Sequence, residues 1–325
     1  MVVELVQAVC LTPAIQLLED RGANVDKHLN ASGLSVFSPH DPMAWLPKQL
    51  VFDFIARLDR YEFSDNPVED LEPVYRLKNT HHYGQYLLSS GSLAEAARRA
   101  TNHRARVLTY HSVRVRMGQF RAGINSYYAH RKTRVEQIIE GCSLLLMLDG
   151  LSQFGGKYCN FSSLDITLDR MPETSLPIDL SDTRVRVSRY AHEVQFPISW
   201  ILRKPATKFP RSKCSLWAPS QSLSDRLRAM FNSLAPGRRP TIEYVSEIIE
   251  MSPRTMQRQL AREHTTFFEL VDEWARDQAL KQIREPDIRI SEISKCLGYS
   301  EHAHFTRAFG RWTNMTPRAF RDTLD

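Results

Sequence analysis

Ten polar side chains fall into two short runs near the C-terminal end of this 325-residue chain. Arg254, Thr255, Gln257, Arg258 and Arg262 make the first run, and His302, His304, Thr306, Arg307 and Arg311 the second. Arginine and glutamine can bind base edges bidentately, and guanidinium, imidazole and hydroxyl groups donate to phosphate oxygens. Reading a nucleic acid is the chemistry such groups can do. An ordinary solvated helix face has a similar composition, so the elements that carry these residues must decide.

Thr241 can cap a helix whose Ile242, Val245, Ile248 and Ile249 share one side. Met251-Ser252-Pro253 stops that helix and starts another, with Ser252 as N-cap and Pro253 where a missing N–H costs nothing. In the second helix Met256 and Leu260 point inward, leaving Arg254, Thr255, Gln257, Arg258, Gln259, Ala261 and Arg262 outside. The layout recurs farther on. Ile290, Ile293 and Leu297 share a face, Gly298-Tyr299-Ser300 turns, and Phe305, Ala308, Phe309 and Trp312 form an inward stripe. Between the two helix pairs, Thr266 to Ile283 reads as an amphipathic rod begun by Phe267, Leu270, Val271, Trp274 and Ala275. Eighteen residues span about 27 Å, against about 34 Å for one turn of duplex. Two small modules on such a rod could enter successive major grooves on one face of DNA.

Residues 241–245, Met251 to Leu260, Ile290 to Ser300, His304 to Phe309 and Trp312 through Arg321 resemble the DNA-binding domain of the AraC/XylS family. The resemblance covers nearly all of 240–323. It implies a transcription regulator whose recognition helices, about 253–262 and 302–312, read adjacent grooves. Arg254, Thr255, Gln257 and Arg258, with His302, His304, Thr306 and Arg307, are then the DNA-facing positions. Glu250, His264 and Asn314 stand where the family commonly has glycine, Ala275 where many members have arginine, and Gly310 where a basic residue is usual. Asparagine tolerates positive φ and histidine does so less well. The loss of a basic residue at 310 makes the second unit the weaker DNA reader.

Upstream, Leu50, Val51, Phe54, Ile55 and Leu58 predict an amphipathic helix after Pro47, and Ser92 with Glu95 predicts a capped helix over 93–100. From Arg98 to Arg134 there are ten Lys or Arg residues and no Asp or Glu, a segment that could face nucleic acid, a polar effector or an acidic surface within the protein. After Asp149 and the Gly155-Gly156 turn, β-prone pieces occur at 165–168, 184–187 and 193–198. In 184–187 the valines share one strand face and the arginines the other. Residues 204–219 lack helical pattern, Leu223 to Leu234 predicts a helix, and 235–240 is a Pro/Gly linker. Tyr83 to Ala97 and, more faintly, Val194 to Ile198 with Leu202 to Pro205 resemble the arabinose-binding-type N-terminal domain of the ornithine and virulence regulator branch, over roughly 45–205. That likeness implies effector sensing and self-association, without implying arabinose as the ligand. The expected division is an N-terminal sensing and self-association domain at 1–215, helical to about 148 and mixed α/β after. A connecting helix and linker follow at 216–239, then an all-α domain at 240–325 with two helix-turn-helix units joined by a linker helix.

Other chemistries find no constellation. No Gly-x-Gly-x-x-Gly, Walker-type Gly-Lys-Ser/Thr, Gly-x-Ser-x-Gly or His-Glu-x-x-His occurs. His81-His82 and His302/His304 lack the i, i+4 spacing for one metal centre. Cysteines at 10, 142, 159, 214 and 296 suit neither a disulfide scaffold nor a zinc finger, and Cys142 and Cys159 read as buried apolar residues. The longest apolar run, Leu144 to Leu148, is short for a bilayer, and the N-terminus has no basic n-region, so a bacterial cytoplasmic protein is expected. Neither enzyme activity, cofactor nor metal is expected. The formal charge of +6 mildly favours a polyanion. From Arg226 onward 16 Lys+Arg against 14 Asp+Glu leave +2, a weak attraction that a homodimer would double. The expected function is a sequence-specific double-stranded DNA-binding transcription regulator, an effector-responsive activator. Its partners would be a small-molecule effector, a second copy and RNA polymerase. The alternative is a protein-binding adaptor or sensor with vestigial DNA-binding units.

Overall fold

The computed structural model describes residues 3–104, 112–127, 133–156, 159–168, 182–188, 192–205, 219–220 and 222–324, with the side chains of 102–104, 112–113 and 126–127 excepted. Cys214, Lys157, and much of the 98–134 and 204–219 segments lie outside the described residues. Strand β1 (Leu5–Gln7) leads into helices α1 (Thr12–Asp20) and α2 (Val25–Ala31). β2 (Trp45–Pro47) returns antiparallel to β1 with Val6 opposite Leu46. α3 (Lys48–Tyr61) starts after Pro47 as expected and buries Leu50, Val51, Phe54 and Leu58. α4 (Pro67–Leu71), α5 (His81–Leu88) and α6 (Leu93–Arg104) follow. Ser92 Oγ accepts the Glu95 N–H at 3.2 Å, while the Glu95 carboxylate takes the Gly91 N–H at 2.7 Å.

The helical run expected to about 148 is interrupted. β3 (Ser112–Met117) and β4 (Arg121–Tyr127) form an antiparallel hairpin with Val115 opposite Ile124. Val113 and Val115 alternate with Arg114 and Arg116 ahead of Gly118, a two-residue period that a count of charge conceals. Then α7 (Arg134–Gly155) begins at a capping box of Thr133 and Glu136. β5 (Asp165–Leu168), β6 (Arg184–Val187) and β7 (His192–Pro197) stand where the sequence predicts strands, completing a five-stranded sheet ordered β3-β4-β7-β5-β6. β5 and β6 run parallel, at one edge; the other pairs are antiparallel. At that edge Val185 is half-buried but Val187 is 53% exposed, so the valine face is only partly covered.

By length and composition alone α7 could cross a membrane, although its uninterrupted apolar run is only Leu144 to Leu148. Its packing is that of a core helix. Ile138, Cys142 and Leu145 enter the main core, and Leu144, Leu148, Leu151 and Phe154 pack with Ile166, Val194 and Phe196 of the sheet. Glu140 on α7 faces His192 on β7 at 2.9 Å, both buried.

The connecting helix is α8 (Leu223–Phe231), and it is not a free tether. Leu227, Met230 and Phe231 are buried, as is Arg226, whose guanidinium donates to the carbonyls of Val3 and, at 3.2 Å, Ser220. Burial lowers the Arg226 pKa, partly offset by the charge of Glu4. Beyond α8, Phe37 and Leu234 make a β-bridge, Ala235 N–H donates to Val36 O at 2.9 Å, and Gly237 N–H donates to Cys296 O at 2.8 Å. The helices α9 (Ile242–Ile248), α10 (Pro253–Arg262), α11 (Phe267–Gln282), α12 (Ile290–Cys296), α13 (His302–Thr313) and α14 (Pro317–Arg321) complete the chain. Leu5, Phe54, Leu227, Met256, Leu270 and Phe309 belong to one apolar core running through both ends of the molecule. A mixed α/β N-terminal region is thus followed by a helical C-terminal region.

Candidate nucleic-acid interface

α9 and α10 are set by their caps. Thr241 Oγ accepts the Tyr244 N–H and Ser252 Oγ the Thr255 N–H, each at 3.3 Å, and Pro253 takes the first helical position. Between them Glu250 adopts φ 53°, and the Met251 N–H reaches back to Ser246 O at 2.9 Å. That left-handed residue reverses the chain, so α10 leaves the turn with Met256 and Leu260 completely buried. Arg254, Gln257, Arg258 and Arg262 are exposed on its other sides. Thr255 is half-buried and its hydroxyl accepts from Ser252 Oγ at 2.9 Å, which ties it to the cap.

The C-terminal end of α10 is bolted to α8. Glu263, just past the helix, accepts the N–H groups of Leu223 at 2.9 Å and Ser224 at 2.8 Å, the open donors of the first turn of α8. Burial pushes the Glu263 carboxyl up, but those backbone hydrogen bonds outweigh it and leave its pKa lowered. α10 is therefore anchored on the inside and polar on the outside.

α11 carries a capping box of Thr266 and Glu269 and buries Leu270, Val271, Trp274, Ala275 and Ala279. Ala275 has no exposed surface, so an arginine could not be placed there without displacing the core. α12 ends at Gly298 with φ 71° and the Tyr299 N–H on Ser294 O at 3.1 Å. A Cβ at Gly298 would lie 2.8 Å from Arg239 Cβ, and the Arg239 guanidinium sits 4.5 Å from the centre of the Tyr299 ring. α13 buries Phe305, Ala308 and Phe309 and exposes His302, His304, Arg307 and Arg311. Thr306 is half-buried, with its hydroxyl donating to His302 O at 3.1 Å. His304 lies 3.9 Å from the Glu301 carboxylate.

Asp272 on α11 was not among the residues singled out from the sequence. One of its oxygens pairs with the Arg311 guanidinium, and the other accepts the Trp312 indole N–H at 2.9 Å. Arg311 thus acts first as a strut between α13 and the rod, although it is still exposed. Its partner is 39 residues away, beyond any local pattern. Glu263 was equally invisible for the same reason. Among the described residues there is no group of three His, Cys, Asp or Glu able to hold a metal ion.

Residues 245–323 match the family model described as a helix-turn-helix domain. The chain is similar to the HTH-type transcriptional regulator VirS of Mycobacterium tuberculosis, 34% identical over 120 residues covering 37% of this chain and 34% of that protein. It is also similar to the HTH-type transcriptional regulator VqsM of Pseudomonas aeruginosa, 33% identical over 102 residues, covering 31% of each. The ornithine utilization regulator of the same organism is 29% identical over 87 residues, covering 27% of this chain and 26% of that one. The matched stretch thus spans about a third or less of these relatives' length. The crystal structure of transcriptional regulator CdpR from P. aeruginosa aligns over 92% of this chain and 96% of its own, at 17% identity and a TM-score of 0.39. Over its C-terminal helices the chain is thus similar to helix-turn-helix transcriptional regulators.

Proposed function

We propose that the chain is a sequence-specific, double-stranded DNA-binding transcription regulator. In this reading α9/α10 and α12/α13 are two helix-turn-helix units held on α11. The observation that carries it is α10: Arg254, Gln257, Arg258 and Arg262 stand exposed on a helix whose opposite side, Met256 and Leu260, is fully buried. Such a helix can place guanidinium and carboxamide groups in a major groove without unfolding anything. α13 supports the same reading through His302, His304 and Arg307, with Thr255 and Thr306 contributing as supporting rather than free contacts. Arg311 joins them to the extent that it can leave Asp272.

The N-terminal region is the sensing and self-association part, so the regulator is effector-responsive and acts as an activator that engages RNA polymerase in the bacterial cytoplasm. The boundary assigned at 216–239 is one of function, since α8 packs with both sides. Self-association is favoured by Met117, Phe120 and Leu202, which are 62%, 75% and 78% exposed. Met117 and Phe120 flank the β3–β4 turn, where Ile198 N–H donates to Phe120 O at 2.9 Å. Light scattering of free and DNA-bound protein should show a dimer, and a monomer in both states would reject that part.

The test of DNA reading is selection of bound genomic fragments, followed by Arg258→Ala and Arg307→Ala against the selected fragment and a random duplex. A phosphate-contacting arginine lowers affinity for both DNAs and flattens the salt slope by about 0.9. A base-contacting one weakens the selected fragment by about 1–3 kcal/mol and relaxes its sequence preference. No enriched sequence, with both variants indistinguishable from the parent, would leave the adaptor reading in its place.

A further inference from the structure

Helices α1, α3, α5, α6 and α7 enclose a cavity of about 170 Å³ in the N-terminal region. Its walls include Val9, Ala14, Leu58, Leu87, Ala97 and Leu151, and no charged side chain lines it among the described residues. The alanines at 96, 97 and 100 on α6 supply the room. Most of the polar lining is already engaged: Tyr75 OH donates to Cys10 O at 2.9 Å, Thr80 Oγ to Leu77 O at 2.8 Å and Ser143 Oγ to Ile139 O at 3.0 Å. Ala100, Ile139, Leu146 and Met147 in the lining are half-buried.

A sugar or a zwitterion entering such a space would leave its own water behind and find few groups to replace it. Each unpaired buried polar group costs roughly tenfold or more in affinity. An apolar cavity of comparable size, by contrast, stays dry and takes up hydrocarbon. We infer that this cavity is a binding site for an apolar small molecule of the aliphatic class, uncharged along its buried length. The inference deepens the effector-responsive part of the function proposed above and names the chemistry of the effector.

The cavity is also joined to the DNA-reading end. Val6 on β1 lines it, and Val3, just before β1, accepts from buried Arg226 on α8. The first turn of α8 is held in turn by Glu263 at the end of α10. A ligand that shifts β1 has a hydrogen-bonded route to the first recognition helix.

Isothermal titration of the full-length protein with n-hexanol, n-octanol and n-decanol tests the site, with L-ornithine and L-arabinose as polar comparators. Affinity should rise about fourfold per added methylene until the cavity is filled, with a negative heat-capacity change and a raised melting temperature. Ala97→Leu and, separately, Ala100→Leu fill the space and should weaken octanol binding at least tenfold. The inference is overturned if the parent binds no alkanol up to its solubility, if affinity is indifferent to chain length, or if ornithine or arabinose binds more tightly. The parent series decides even where a leucine variant fails to fold. Gel shifts with the selected fragment, run without any alkanol, judge the DNA-binding reading independently. Alkanol binding that leaves those shifts unchanged would overturn the effector role.

Discussion

Glycine should stabilise this protein at two helix ends, where the left-handed backbone favours it. Glu250 and His264 close α9 and α10 in the left-handed region, with φ of 53° and 58°. Each is followed by the same back-bond, Met251 N–H to Ser246 O at 2.9 Å and Thr265 N–H to Leu260 O at 3.1 Å. α12 ends in the identical pattern, but with Gly298 at φ 71°. An L-residue in this conformation costs about 1–2 kcal/mol, and glycine returns about 0.5–1 of that through its freer unfolded chain. Both side chains are exposed, so removing them sacrifices no packing. Glu250→Gly and His264→Gly should therefore each add about 0.5–1 kcal/mol, read as a higher urea midpoint at unchanged m. Glu250→Ala and His264→Ala retain the Cβ and should stay within about 0.5 kcal/mol of the parent. Affinity for the selected DNA should not change. Glycine variants less stable than their alanine counterparts would refute the reasoning. Asn314, at φ 58°, should gain less from glycine, because asparagine already tolerates the region.

Glu263→Gln should cost about 1 kcal/mol by weakening the hold on the first turn of α8. Because the folded pKa of Glu263 is lowered from 4.5, its contribution is complete above that ordinary value and disappears as pH falls through the lower folded one. Parent and variant stabilities should converge there, and parallel curves from pH 6 to 2.5 would contradict it. Asp272→Asn releases Arg311 and removes a carboxylate beside the second recognition helix. It should lower stability by about 1 kcal/mol while steepening the salt dependence of DNA binding by up to about 0.9, and an unchanged slope would show that Arg311 stays out of reach of phosphate. Burial pushes the Cys142 thiol up to about 12, so native protein at pH 8 should leave it unalkylated by iodoacetamide while unfolded protein reacts; rapid native labelling by mass spectrometry would argue otherwise.

The C-terminal helices were legible because their signals are local. Thr241 and Ser252 cap the helices the sequence assigned to them, and Met256, Leu260, Phe305 and Phe309 form the buried stripes. The exposure of Arg254, Gln257, Arg258, Arg262, His302, His304 and Arg307 follows from the same periodicity. What escaped depends on partners far along the chain. Nothing near Arg311 announces Asp272, and nothing near Leu227 tells which surfaces α8 will bury. β1 and β2 are three residues each, too short to show a period. The β3–β4 hairpin was hidden by its arginines, which drew attention to charge rather than alternation. The cavity is space left between helices whose individual faces look ordinary.

The dual loyalty of α8 bears on how this protein can be divided. Its Phe231 ring meets Phe267 edge-on with centroids 5.6 Å apart, and its Arg228 guanidinium pairs with Glu273 on α11 at 3.0 Å. A fragment excised at the proline-rich stretch near residue 240 would bare the flank of α11 to water and forfeit the lock that Glu263 provides. Excision upstream of Ser220 keeps that flank covered and leaves Arg226 its bond to Ser220 O, but exchanges the carbonyl of Val3 for water and so opens the inner face of α8.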